Sequence, residues 1–190
     1  ICRLDGVAVL FPADSGVEGT SIIDITDGNG NKIIEDFIRI ARDMGEGFYS
    51  YTWSKPGETG KTFPKTSFLQ YLAPFDCYIG AGVYDDDVEA AIKEEVVNVI
   101  ESFNFENEDY VFAGRWDGVL VTSPGKGRNM IDTVDPNGVM IIQKLIETAR
   151  NGGGYVSYIM PAIDDKRNEP KVSYVTSYDD WRWFIGSDEY

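Results

Sequence analysis

Gly47-Phe48-Tyr49-Ser50-Tyr51 and Gly154-Tyr155-Val156-Ser157-Tyr158 are two versions of one segment. Both are rich in the aromatic and β-branched residues that suit strands. Working outward, Pro64-Lys65 returns as Pro170-Lys171. Ile79-Gly80 and Tyr84 return as Ile185-Gly186 and Tyr190. On the other side, Arg3-Leu4-Asp5-Gly6-Val7 returns as Arg115-Trp116-Asp117-Gly118-Val119, and Pro12 as Pro124. Asp24, Asp27, Asn29 and Gly30 match Asp132, Asp135, Asn137 and Gly138. The apolar set Ile33, Ile34, Phe37, Ile38 and Ala41 matches Ile141, Ile142, Leu145, Ile146 and Ala149. One shared motif would be weak evidence. An ordered series through both halves, with small loop deletions, implies two copies of one fold.

Each copy reads ββ-α-βββ. Asp5-Gly6 and Asp117-Gly118 sit between β-type runs and signal type I′ hairpins. The apolar positions i, i+1, i+4, i+5 and i+8 make one helical face, expected over about 31–43 and 139–150. Strands are expected at 47–53, 65–72 and 77–84, then at 154–160, 171–178 and 183–190. Runs of antiparallel strands with a helix against them give an α+β class rather than an alternating α/β one. Between the copies, Asp85, Asp86 and Asp87 suit a helix start. Val88, Ala91, Ile92, Val96, Val99, Ile100 and Phe103 then form an apolar stripe of helical period. The expected organisation is therefore a first module at 1–84, a connecting helix within 85–107 and a second module at 108–190.

Composition narrows the function. The 190 residues carry 32 acidic and 17 basic side chains, a net charge of −15. That surface repels phosphate backbones, so no nucleic-acid partner is expected. With no histidine, Ser-His and Cys-His nucleophile pairs and His-ligated zinc are excluded. Two cysteines cannot build a four-thiolate site. No apolar run approaches the roughly 18 residues of a membrane span. The start at Ile1, without an initiator Met or signal peptide, reads as a segment cut from something larger.

The tempting motifs mostly dissolve. Asp24, Asp27, Asn29 and Asn31 followed by Glu35 fail the spacing of a calcium loop, which wants Gly sixth and Glu twelfth; they read as an Asx-rich turn and helix cap. Gly57 to Thr62 lacks the spacing of a phosphate loop. No catalytic residue, metal ligand or cofactor is assigned.

The order of motifs resembles the Cache sensor domains of bacterial receptors. It is carried by 45–53, 63–72, 79–92, 152–160, 169–178 and 181–190, and two copies resemble the double Cache type. The resemblance implies two tandem PAS-like modules, each a five-stranded antiparallel sheet with a helix, the first membrane-distal and the second proximal. It also implies a periplasmic or extracellular domain in a membrane-anchored homodimeric receptor, a chemoreceptor or sensor histidine kinase, with membrane spans outside this sequence. The helix that would supply most of the dimer surface is absent here, so the segment is expected to be a monomer or weak dimer. In the implied sheet order, Cys2 and Cys77 lie on neighbouring strands, which leaves both a disulfide and free buried thiols open.

Candidate binding residues follow in the first copy. Tyr49, Tyr51 and Trp53 share one strand face, as core or as pocket wall. Lys65, beside the pocket by resemblance, would pair with a ligand carboxylate. Tyr71 or Tyr78 would add a hydroxyl, and backbone near Phe11 and Pro12 would close the site. The expected ligand is a small acid such as acetate, propionate, pyruvate or lactate. Two other readings stand beside it: a structural or adhesion module without ligand, and a hydrolase using Asp24/Asp27 or Asp85–Asp87.

Overall fold

Residues 1–103, 110–160 and 169–189 are described by the computed structural model. The expected positions 104–109 and Tyr190 lie outside them. Residues 1–92 and 93–190 form separate compact units.

The first unit contains β1 (Cys2–Arg3), α1 (Ile33–Met44), β2 (Glu46–Trp53), β3 (Phe63–Leu72) and β4 (Cys77–Tyr84), followed by the start of α2 (Asp85–Ser102). Its sheet is antiparallel in the order β1-β4-β3-β2. The second unit contains β5 (Val111–Arg115), α3 (Ile141–Arg150), β6 (Gly154–Met160), β7 (Glu169–Tyr178) and β8 (Trp183–Glu189). Its order β5-β8-β7-β6 repeats that of the first. The repeat and the α+β class therefore hold.

Among the described residues each sheet has four strands, not the expected five. The segment after the Asp-Gly turn makes only isolated bridges, Cys2 with Ala8 and Val7 with Ser21, and in the second unit Gly114 with Leu120 and Val119 with Asn129. The reason is divided hydrogen bonding. Val9 and Leu10 N–H donate back to Ile1, whereas Ala8 N–H donates to Thr20 and Ala8 C=O accepts from Gly19. A segment shared in this way forms no continuous ladder. The turn also differs from type I′. Gly6 N–H bonds Arg3 C=O and Arg3 N–H bonds Val7 C=O, with only Gly6 at positive φ (84°). This is a three-residue loop with glycine at its left-handed position; Gly118 repeats it at 87°.

Helix α1 buries Ile33, Ile34, Phe37, Ile38, Ile40 and Ala41 against Leu69 and Tyr78 of the sheet and against Cys2, Ala8 and Ile22. In the second unit, α3 buries Ile141, Ile142, Leu145, Ile146 and Ala149 against Val156, Val175 and Phe184. Full burial of each such side chain contributes about 1.5–3 kcal/mol. Helix α2 departs from expectation. Its buried residues are Val97 and Ile100, packed on Ala113 and Trp183, while Val88, Ile92, Val99 and Phe103 of the expected stripe are exposed. At 100° per residue these four fall on one strip, and Val97 and Ile100 are centred about 120° round the helix from it. The second sheet covers only the latter.

The Asx turn before α1 is real, but it caps no helix. Lys32, at the N-cap position, makes no side-chain cap. Asp27 instead accepts N–H bonds from Asn29, Asn31 and Thr52 at 2.9, 2.8 and 3.3 Å, fastening the loop to β2. Burial alone would raise its carboxyl; these donors overcome that and hold it below the usual carboxylate range. Asp135 repeats the arrangement with Asn137, Val139 and Ile159.

Both cysteines are buried and free. Cys2 stands opposite Tyr78 and Arg3 opposite Cys77. That register puts the two thiols on opposite faces of the sheet, so no bridge can form.

Two predictions follow from these features. Because the folded-state carboxyl of Asp27 is depressed, its contribution is complete above the unfolded value near 4 and disappears as pH falls through the folded value. Asp27→Asn should therefore lower the melting midpoint at neutral pH by several degrees and flatten its decline in acid, read by circular dichroism melts across that range. A thiol reagent should find no reactive cysteine in the native protein and two after denaturation without reductant.

Candidate functional site

Strand alternation sends Lys65, Ser67 and Leu69 of β3 to the face covered by α1. Register then aligns their neighbours. Tyr51 of β2 stands opposite Lys65, and Gly82 of β4 stands opposite Ser67. Because Gly80 and Gly82 have no side chains, space remains between the sheet and α1. The result is a cavity of about 220 Å³. One end is polar, formed by Lys65, Ser67 and Tyr51. The other is apolar, formed by Ile25, Ile33, Phe37 and Trp53, and the segment Leu10–Ala13 lies across it.

Phe37 stiffens the cavity wall. Its ring meets Tyr49, Tyr51 and Tyr78 edge-on, with centroids 5.7, 5.5 and 6.0 Å away. At the polar end, the Tyr51 hydroxyl and Ser67 Oγ lie 3.0 Å apart. Burial raises the Tyr51 phenol. The Lys65 ammonium sits 4.6 Å from the Tyr84 ring centroid and makes no ion pair among the described residues. Burial holds it below the usual lysine range. A cation and two hydroxyls converge on a space to which no described residue brings an anion.

Six of the expected residues line this cavity: Phe11, Pro12, Tyr51, Trp53, Lys65 and Tyr78. Tyr49 and Tyr71 do not. Tyr49 donates to Asp36 of α1 at 2.5 Å, which pushes its phenol up to about 12. Tyr71 donates to Asp76 in the β3–β4 turn at 3.0 Å. Both face the right side of the sheet, but their hydroxyls are committed elsewhere. Ser67 and Gly82 escaped the sequence reading. The available signal was the departure between copies, where Asp188 stands in place of Gly82.

The second unit repeats the cradle with a different occupant. Tyr158 stands opposite Lys171, and Ser173 opposite Asp188. Lys171 Nζ lies 2.5 Å from Asp188 Oδ2, with both side chains shut away from solvent. The adjoining cavity is only about 80 Å³. Burial would lower Lys171, but Asp188 more than reverses that and the net shift is upward.

The carboxylates considered for hydrolysis are otherwise engaged. Asp27 is bound to backbone N–H groups, Asp24 pairs with Lys32 at 3.1 Å, and Asp86 and Asp87 pair with Lys55 at 2.8 and 2.6 Å. Asp85 accepts from Thr66 at 3.2 Å.

A cavity with one cationic end, set on a sheet beneath a helix, has the general character of a small-molecule site. The chain belongs to the Cache domain family, whose profile matches residues 1–190. It is similar to the sensor histidine kinase MctS of Rhizobium johnstonii, 33% identical over 115 residues covering 57% of this chain and 25% of that protein. It is also similar to the methyl-accepting chemotaxis protein McpP of Pseudomonas putida, 31% identical over 88 residues covering 46% of this chain and 16% of that protein. The chain thus spans a quarter or less of these relatives. Among solved structures, a periplasmic sensor domain of a chemotaxis protein superposes with a TM-score of 0.48 at 26% identity, covering 57% of this chain and 76% of that one. A Cache chemosensory domain studied for carboxylic acid recognition gives 0.49 at 23%, covering 53% and 72%. Both curated relatives are signal-transduction proteins. Among the described residues of this chain, no helix is long and apolar enough to cross a membrane.

Proposed function

We propose that this chain is the extracytoplasmic ligand-sensing part of a transmembrane receptor, a chemoreceptor or sensor histidine kinase, and that its first unit binds a short organic acid. The observation that carries this reading is Lys65, a half-buried ammonium at the polar end of the cavity with no counter-charge among the described residues. A buried charge without a partner is costly. A ligand carboxylate removes that cost, taking the ammonium at one oxygen and the Tyr51 and Ser67 hydroxyls at the other. Phe37, Ile33 and Trp53 then receive a small apolar tail. Acetate, propionate, pyruvate and lactate fit this chemistry and size.

The unit performs no reaction. Binding favours whichever conformation closes best on the acid, and the resulting shift in populations is the signal. The parent protein would be a membrane-anchored homodimer with its output domain beyond this segment. A purely structural or adhesive module would have no use for an unpaired ammonium in a cavity.

Calorimetric titration with the four acids tests the proposal. A charge-assisted hydrogen bond contributes roughly 1.5–3 kcal/mol, so Lys65→Met should weaken binding about tenfold to a hundredfold. If none of these acids binds the unsubstituted protein, the ligand class is wrong. The pH dependence has a definite sign. An anion stabilises the protonated amine, so affinity is complete below the depressed value of free Lys65. It falls as pH rises through that value, which lies below the ordinary lysine value near 10.4. Titrations from neutral to alkaline pH should show this loss.

A further inference from the structure

We infer that the second unit is a carboxylate-binding module closed by its own chain, with Asp188 standing where a dissolved acid stands in the first. The inference rests on the reading of the first unit for what the cradle is meant to hold.

The two cradles correspond residue by residue. Tyr51 and Lys65 are cross-strand partners, as are Tyr158 and Lys171. Ser67 faces Gly82 across β3 and β4, as Ser173 faces Asp188 across β7 and β8. The hydroxyl pair is kept: Tyr51 to Ser67 is 3.0 Å and Tyr158 to Ser173 is 2.8 Å. The fourth position changes, and Lys171 has a further contact, donating to the Tyr110 hydroxyl at 3.1 Å. In the first unit, a Cβ on Gly82 would point at the cradle, so close to Ser67 Oγ that the serine side chain must turn aside, and 3.0 Å from Lys65 Cε. In the second unit that direction is used. One Asp188 oxygen takes the Lys171 ammonium at 2.5 Å, and the other accepts from Ser173 and, at 3.2 Å, from Tyr158.

This is the two-oxygen geometry that a ligand carboxylate would adopt, built into the chain. The surrounding space agrees. Asp188 and Tyr158 line a remaining cavity of about 80 Å³ whose other walls include Leu120, Ile141, Leu145 and Met160. The apolar end persists there while the anionic end is filled. A carboxylate tethered to its own strand acts at high effective concentration, so a free acid does not displace it.

Asp188→Gly should therefore open a site for acids, and Gly82→Asp should close one. The first test is made in the full 190-residue chain carrying Lys65→Met, which silences the first unit. Formate and acetate are titrated by calorimetry and by thermal melts, with sodium chloride as the control. The Lys65→Met/Asp188→Gly protein is expected to melt lower than Lys65→Met alone, to recover as acetate is added, and to give a saturable one-site titration. Adding Lys171→Met should weaken that titration about tenfold or more. Asp188→Asn, which leaves the space filled, should give none. A folded Asp188→Gly protein whose midpoint moves no more with acetate than with chloride overturns the inference. Failure to fold even in excess acetate and formate also overturns it, because a dissolved carboxylate should replace the lost one. If the unsubstituted chain binds no acid while Lys65→Met/Asp188→Gly does, the reading of the first unit fails and this one stands. In the Lys65-containing protein, Gly82→Asp should abolish acid binding and raise the melting midpoint; unchanged acid binding counts against the shared geometry.

Discussion

An ammonium drawn even partly out of water favours an anion within reach, and that preference distinguishes the two halves of this protein. The same lysine position, on the same face of the third sheet strand of each unit, meets it in two ways. Lys171 is answered from within the chain by Asp188. Lys65 is left facing a cavity. The difference is one side chain on the neighbouring strand, glycine in one copy and aspartate in the other. Opposite shifts of the two lysines, Lys65 down and Lys171 up, express that difference.

An open site of this kind lasts only if the walls cannot fall inward. Phe37 reaches from α1 into contact with three tyrosines of the sheet, fixing the spacing between helix and strands. Asp36, one residue earlier, takes the Tyr49 hydroxyl and fastens the same helix to the same strand. Asp27 ties the preceding loop to Thr52. Lys55, between the Phe63 and Tyr84 rings, pairs with Asp86 and Asp87 and so holds the β2–β3 turn to the start of α2. The polar groups that looked most like chemistry in the sequence serve as these fasteners.

The repeat, the fold class and the helix positions were legible because they depend on periodicity, which a sequence records directly. Tyr51 and Trp53 were legible as one face for the same reason, whereas Lys65 was placed beside them by the family resemblance alone. What remained hidden depends on which strands become neighbours. Ser67 and Gly82 matter only because β3 and β4 pair in a register that sets them opposite each other. Tyr49 and Tyr71 lie on the correct face, yet acidic side chains on α1 and in a turn claim their hydroxyls. The missing fifth strand is a matter of competition, since its amides divide between β1 and the following loop. The exposed strip of α2 could not be told from its buried strip by spacing alone.

Gly80-Ala81-Gly82 forms a stretch of β4 almost bare of side chains. Glycine inside a strand weakens it, since it has more freedom to lose and nothing to pack. The first unit therefore has a core with one piece left out, at its softest strand. On the proposed reading, an acid that enters the cavity serves as that piece, a side chain supplied from solution rather than by the gene. The resistance of this unit to unfolding and proteolysis is then set partly by the chemical composition of its surroundings, rising as the logarithm of solute concentration once the site begins to fill. Its twin, whose corresponding strand carries Asp188, would owe nothing to such a solute.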